Sequence, residues 1–297
     1  MATFNFLKQA QLYLVHDSKR YNIDIENVSF SQTFTETSYS VKDLHEQNMF
    51  EASVINKANA ANFEFKIPVL RESDFDVVYS RLLDYGTVDL YLSTERDVFK
   101  LDYCVFTNGT LEIEKSKPLS MTIQGEASKL SKVGAADSYT IPGTPQARTP
   151  SRTFNTAFDV NVVLGGSNIS TEVFRISVEL QNDISWVPYT TVQGAQSATD
   201  ASTSMYPTDF VVTKRVLAGN IGRYITDSNA DDLQDWNTDT TLVIDVGQNV
   251  GGTINGFHFN IPNCTFTNRM EVQSIFTQSY DWRMTSNPTA LSSVITY

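Results

Sequence analysis

Few residues in this chain are arranged to do chemistry. The three histidines are His16, His45 and His258. None has a second ligand at metal-site spacing, and zinc or triad chemistry needs convergent partners. The acidic run Asp227, Asp231, Asp232, Asp235 and Asp239 could hold calcium, but it lacks the spacing and glycine of an EF-hand loop. A solvated acidic loop is the competing reading. The stretch from Gly247 to Gly256 has no following Lys-Ser/Thr pair and reads as a turn, not a phosphate loop. Sequons at Asn108, Asn168 and Asn263 carry meaning only in a secreted chain. No catalytic, metal or cofactor-binding residue is assigned, and neither a cofactor nor an enzyme activity is expected.

What stands out instead is a pair of alternating rows. Val28, Phe30 and Phe34 share one parity, and Ser29, Ser31, Thr33, Thr35 and Thr37 fill the other. Later, Val178, Leu180, Ile184 and Trp186 share a parity against Ser177, Glu179, Gln181, Asp183 and Ser185. A period of two gives a strand one buried face and one wet face. The rows superpose at one constant spacing: Val28 on Val178, Phe30 on Leu180, Phe34 on Ile184, Tyr39 on Tyr189. Such a polar row is either an ordinary water-exposed sheet face or the lining of a sheet closed around a water-filled channel. Short, non-basic side chains would let a polyanion pass without sticking. Lys66 and Arg215, placed at the polar parity of the return strands, run against that.

The elements that position these rows also repeat. From Asp24 to Lys129 and from Phe174 to Met284, an alternating strand leads through a polar loop to a return strand and closing β-segments. In the first copy Phe63–Val69 is the expected return strand across the loop 40–59. A helix follows, with Ser73 as N-cap, Asp74 and Asp76 in the first turn, and Phe75, Val78, Tyr79, Leu82 and Leu83 on one face. Gly86 is its expected stop. In the second copy the loop is 192–207, and the helix candidate near 216–225 is interrupted by Gly219 and Gly222. Residues 131–153, with Pro142, Pro145 and Pro150, have linker composition. The expected layout is a first β domain over 1–130, a linker over 131–153 and a second β domain over 154–297, a duplication that suits a symmetric assembly.

Composition agrees with a mainly β chain and excludes some partners. The 297 residues allow two cores, and the charged fraction is 19%. Net charge is −12, and no basic stripe could neutralise a phosphate backbone. Cys104 and Cys264 fall one in each copy and are expected as buried free thiols in a reducing compartment. Lys8, Gln9 and Gln11 interrupt the first apolar stretch, so no signal-peptide core or membrane span is expected.

The order of alternating strand, long loop, return strand, short helix and closing β-segments resembles the tail tube proteins of long-tailed bacteriophages. The stretches that carry the likeness are Val28–Tyr39 with Phe63–Val69, Gln181-Asn182-Asp183-Ile184-Ser185-Trp186, and Ile261-Pro262-Asn263-Cys264. The resemblance implies two tandem tail-tube-like domains, each a β-sandwich with a flanking short helix, whose hairpins join their neighbours' into a lumenal β-barrel. It further implies a homotrimeric, pseudo-hexameric ring, stacked into a tube that conducts genomic DNA during ejection. The implied partners are the tape measure protein, tail terminator and baseplate or tail-tip proteins. The implied location is the virion tail, after assembly in the host cytoplasm. On this reading Ser29, Ser31, Thr33, Thr35, Thr37, Ser177, Glu179, Gln181, Asp183 and Ser185 face the lumen. Leu44, Met49, Phe50, Val54 and Ile55 form the ring-stacking loop.

Two rivals stand beside the tube subunit. One is a tube-initiating baseplate or tail-tip ring protein of the same fold. The other is a β-sandwich carbohydrate-binding module, which would want exposed loop aromatics, whereas Trp186, Trp236 and Trp282 are scattered.

Overall fold

The computed structural model describes residues 10–39, 52–69, 72–114, 117–147, 158–187, 206–226, 240–272, 275–288 and 290–297. The chain is mainly β, with one α-helix among the described residues. In the first half the strands are β1 (Gln11–His16), β2 (Lys19–Ile23), β3 (Asn27–Ser31), β4 (Phe34–Tyr39), β5 (Ala52–Ala58) and β6 (Ala61–Pro68). Helix α1 (Glu72–Asp84) follows, then β7 (Val88–Ser93), β8 (Asp97–Glu114), β9 (Ser120–Ala127), β10 (Lys129–Ala135) and β11 (Thr144–Pro145). The second half holds β12 (Asp159–Leu164), β13 (Ser167–Asn168), β14 (Val173–Trp186), β15 (Phe210–Tyr224), β16 (Thr240–Val250), β17 (Thr253–Val272), β18 (Phe276–Met284) and β19 (Ile295–Thr296).

The two halves pair their strands in the same antiparallel order. In the first, β2 pairs β1, β1 pairs β7, and β7 pairs β8; then β8 pairs β9, β9 pairs β6, and β6 pairs β3. In the second, β13, β12, β16, β17, β18, β15 and β14 follow one another in that sequence. Even the last strands correspond, since β10 adds to β8 as β19 adds to β17. The opening hairpins turn alike, on Asp17-Ser18 and on Gly165-Gly166, all four with positive φ. That is the two-residue turn whose twist matches the flanking strands.

Each half is a sandwich because its longest strand serves two sheets. The first part of β8 pairs β7 and β10, and the part beyond Cys104 pairs β9. The bend sits at Tyr103, φ 56°, whose N–H is held by Asp89 Oδ1 at 3.0 Å. In β17 the same change of sheet falls at Cys264. Both thiols are buried and not joined in a disulfide, and burial pushes that of Cys104 well above its ordinary pKa. The inner sheets then join across the halves: β14 pairs β8 from Arg175 opposite Glu114 to Gln181 opposite Asn108.

Helix α1 buries Val78, Tyr79 and Leu82, as its periodicity predicts. It begins at Glu72, just before the expected cap Ser73. The left-handed residue after it is Tyr85, φ 48°, rather than Gly86, whose N–H donates to Asp84 Oδ1 at 2.9 Å. Leu82 fills the space over Gly109, where a Cβ would lie 2.2 Å from Leu82 Cδ2. Tyr79 stacks edge-on against Phe257 and Tyr297, so this helix packs on both halves.

Three expectations are corrected. The return strand is longer than Phe63–Val69: β3 pairs β6, while β4 pairs β5, with Thr37 opposite Val54 and Glu36 opposite Ile55. Val54 and Ile55 therefore stand in a strand, not in the loop. The segment near 216–225 is strand β15, because Gly219 lies where a Cβ would meet Ser177 O at 2.0 Å and the Trp282 ring at 2.7 Å. Residues 131–147 are not free linker. β10 pairs β8, β11 runs parallel to β2, and Arg20 Nη1 donates to Ile141 O at 2.5 Å. Ile141 and Tyr139 close a small second core over Tyr91 and Val98.

Candidate functional site

The polar rows fall on one continuous surface. Residues directly opposite in an antiparallel ladder point to the same face. One row crosses Ser29, Glu64, Gln124, Asn108 and Gln181. A second crosses Asn27, Lys66, Thr122, Thr110, Glu179, Ala218 and Arg283. A third runs from Glu112 through Ser177, Asn220 and Asp281 to Thr267. The face thus spans both halves without a break at the β8–β14 seam.

Two shallow hollows on it share Thr107, Gln124 and Glu126 and are rimmed by Ser29, Ser31 and Glu64 on one side and by Glu179, Gln181 and Asp183 on the other.

Most carboxylates here are tied to the sheet by a neutral donor. Gln124 Nε2 donates to Glu64 at 2.8 Å, Asn108 Nδ2 to Glu179 at 2.8 Å and Asn220 Nδ2 to Asp281 at 2.6 Å. Gln181 Nε2 holds Asp183, and the Trp186 indole N–H holds Glu126, each at 2.6 Å. A carboxylate held by a neutral amide has no compensating charge beside it, whereas one paired with lysine is neutralised by its partner. Cation pairs are fewer: Lys66 lies 2.7 Å from Glu26, Lys117 2.5 Å from Glu114 and Arg175 4.0 Å from Glu112. Cations are nevertheless present. Arg175, Lys214, Arg269 and Arg283 are exposed on this face, Arg175 at the parity of Ser177 and Lys214 opposite Asp183. Carboxylates still prevail, with Glu64, Glu112, Glu114, Glu126, Glu179, Asp183, Glu271 and Asp281 against Arg175, Lys214, Arg269, Arg283 and Lys66.

Of the row residues, Ser29, Ser31, Ser177, Glu179, Gln181, Asp183 and Ser185 occupy strands of this face or its extension along β14. Thr33 sits in the break between β3 and β4, its carbonyl and hydroxyl accepting from Asn59 at 2.9 Å. Thr35 and Thr37 belong to the separate β4–β5 arm, and the Thr37 side chain lies outside the described residues. Leu44, Met49, Phe50, His45 and the acidic run 227–239 lie outside them as well. Among the described residues no three His, Cys, Asp or Glu side chains converge on a metal position. His258 Nδ1 instead meets Asp245 at 3.0 Å on the outer sheet.

No family model matches the chain, and no curated protein does. Among solved structures, a chain of the anti-feeding prophage (AFP) baseplate, 6-fold symmetrised, aligns with a TM-score of 0.37 and 13% sequence identity. The alignment covers 45% of this chain and 98% of that chain.

Arg215 is a further correction. It is not on the polar face. A bulge at Thr213 shifts β15, so that Arg215 lies opposite Asn182 on the core side. Its Nε donates to Asn182 Oδ1 at 2.7 Å and its Nη2 to Leu83 O at 2.6 Å, with the guanidinium over the Tyr85 ring at 5.2 Å. Burial presses its pKa below the usual value. Asn182 in turn donates to Leu82 O at 3.0 Å and Phe106 O at 3.1 Å. Together they satisfy the free carbonyls at the end of α1 and place a cation at its negative pole. The second hairpin is thereby fastened to the helix of the first half. Asn182, a polar residue inside the apolar row, was the available sequence signal.

Proposed function

We propose that this chain is a virion structural protein of the phage tail, a tube subunit whose polar sheet face lines the lumen of a ring. The observation that carries the reading is the unbroken polar face, acidic in balance, laid across two halves of identical strand order. A face with fixed carboxylates and bound amides stays hydrated and repels phosphates, while the opposite face of the same strands supplies the core. In this role rings of three chains stack, genomic DNA passes without specific binding, and the tape measure protein occupies the lumen before ejection. The tube-initiating ring of a baseplate or tail tip would use the same face and differs only in not stacking. The sugar-binding alternative has less support: Trp282 is buried, and Trp186 is half-buried with its indole N–H bonded to Glu126.

Negative-stain electron microscopy of the purified protein at rising concentration tests this. Stacked tubes with a stain-filled centre are the expected result, single rings would favour the initiator, and monomers at every concentration would contradict both.

A further inference from the structure

The internal seam between the halves has a counterpart that the single chain leaves open. Along the inner sheet, Val28, Phe65, Ile123 and Gly109 stand opposite one another in the first half. The matching row in the second half is Val178, Gly219, Trp282 and Phe266. Gly109 at the end of the first row pairs with Leu180 of β14. Phe266 occupies the place of Gly109, and Phe30 the place of Leu180. Among the described residues, no strand pairs with β17 on that edge over Thr267–Glu271, and none pairs with the outer edge of β3.

Burial records what is missing. Leu111 and Ile113, beside β14, are 1% and 3% exposed, whereas Met270 in the place of Ile113 is 49% exposed. Val178 and Leu180 are 4% and 3% exposed, but Val28 and Phe30 only half-buried. These apolar side chains lose cover only where the second neighbour strand is absent.

We infer that the open edge of β17 pairs antiparallel with β3 of a second copy of this chain, in the register of the internal seam. Phe266 then lies opposite Phe30 of the next copy, Thr267 opposite Ser29 and Asn268 opposite Val28. The backbone groups agree with this register. Thr285 N–H bonds Asn263 O at 3.0 Å, so alternate residues from Asn263 address β18, and Asn268 and Met270 address the open edge. Val69 N–H bonds Leu119 O at 3.0 Å, which by the same alternation turns Ser29 toward β6 and Val28 and Phe30 outward. Donors and acceptors on the two edges therefore meet. The contact joins different surfaces of two identical chains, so it closes into a ring or runs on as a filament. It also removes two exposed strand edges. This seam deepens the tail-tube reading, on which it rests for its purpose but not for its geometry.

Thr267 and Ser29 form the non-hydrogen-bonded pair of the seam, with Cα atoms about 4.5 Å apart, inside the range a disulfide spans. The full-length double variant Ser29→Cys/Thr267→Cys, oxidised and run denatured without reductant, should give covalent multimers ending at a closed species. The single variants and the mismatched pair Ser31→Cys/Arg269→Cys should stay monomeric. Monomer from the matched pair, or equal linking by the mismatched pair, would overturn the register. Both positions are exposed and tolerate the change, and circular dichroism of each variant verifies folding. Covalent multimers from a protein that builds neither tubes nor rings under the microscope would keep the seam and remove the tube role. Tubes without the cross-link would do the reverse.

Discussion

Replacing Asn182 by leucine should lower stability by on the order of 3 kcal/mol, although leucine suits the apolar row on which it stands. The amide is 1% exposed and serves three partners: Leu82 O, Phe106 O and the Arg215 guanidinium. Leucine would remove the amide's bonds to two buried carbonyls, leaving Leu82 O only the 3.5 Å contact with Arg215, and would leave the half-buried guanidinium without its Nε acceptor. Each orphaned buried group costs about 1–3 kcal/mol. At roughly 2–4 °C per kcal/mol for a chain of this class, Tm should fall by about 6–12 °C. Calorimetry measures it. Gln181→Ala, one residue away on the exposed face, should stay within about 0.5 kcal/mol of the parent. Equal losses at the two positions would mean that the helix-end network contributes nothing of its own.

The second large effect is expected on the polar face. Glu64→Lys, Gln124→Lys and Gln181→Lys together reverse the charge balance. Glu64 and Gln124 bond each other and are replaced together, and the retained partner of Gln181, Asp183, can pair with the new ammonium instead. Assemblies of the parent should not retain duplex DNA at about 0.1 M salt, where like charge repels across a Debye length of about 10 Å. Assemblies of the triple variant should retain it. If six or more lysines engage phosphates, affinity should fall about a thousandfold between 50 and 200 mM salt. Retention with no salt dependence, or retention by the parent, would count against a non-adhesive lining.

How much of this was legible depended on whether a residue obeys the strand period. Ser29, Ser31, Ser177, Glu179 and Gln181 announced their face by alternation alone, and Val78, Tyr79 and Leu82 announced the helix. The duplication was visible as Val28 on Val178 and Phe30 on Leu180, and the strand pairings repeat accordingly. What the period cannot carry is a bulge. One extra residue at Thr213 turned Arg215 from the wet face to the core, and no alternation rule detects that. Asn182 broke its row openly, yet its partners are carbonyls of α1 and β8, far away in sequence. Linker composition misled over 131–147, because Ile141 and Tyr139 find a core only once β1, β7 and β8 are side by side. The seam to a second copy was beyond sequence, since it needed the strand-by-strand register to match Phe266 with Gly109.

The central claim is that the polar face becomes the wall of a closed lumen, and thiol labelling of Gln181→Cys tests it most directly. Cys104 and Cys264 are buried and stay silent, so the label reports the new thiol alone. A small maleimide should react in both dilute chain and assembled tubes. A maleimide carrying a long polyethylene glycol chain should react in dilute chain and be excluded once tubes form. Equal reaction of the large reagent before and after assembly would place Gln181 on an outer surface and contradict the account.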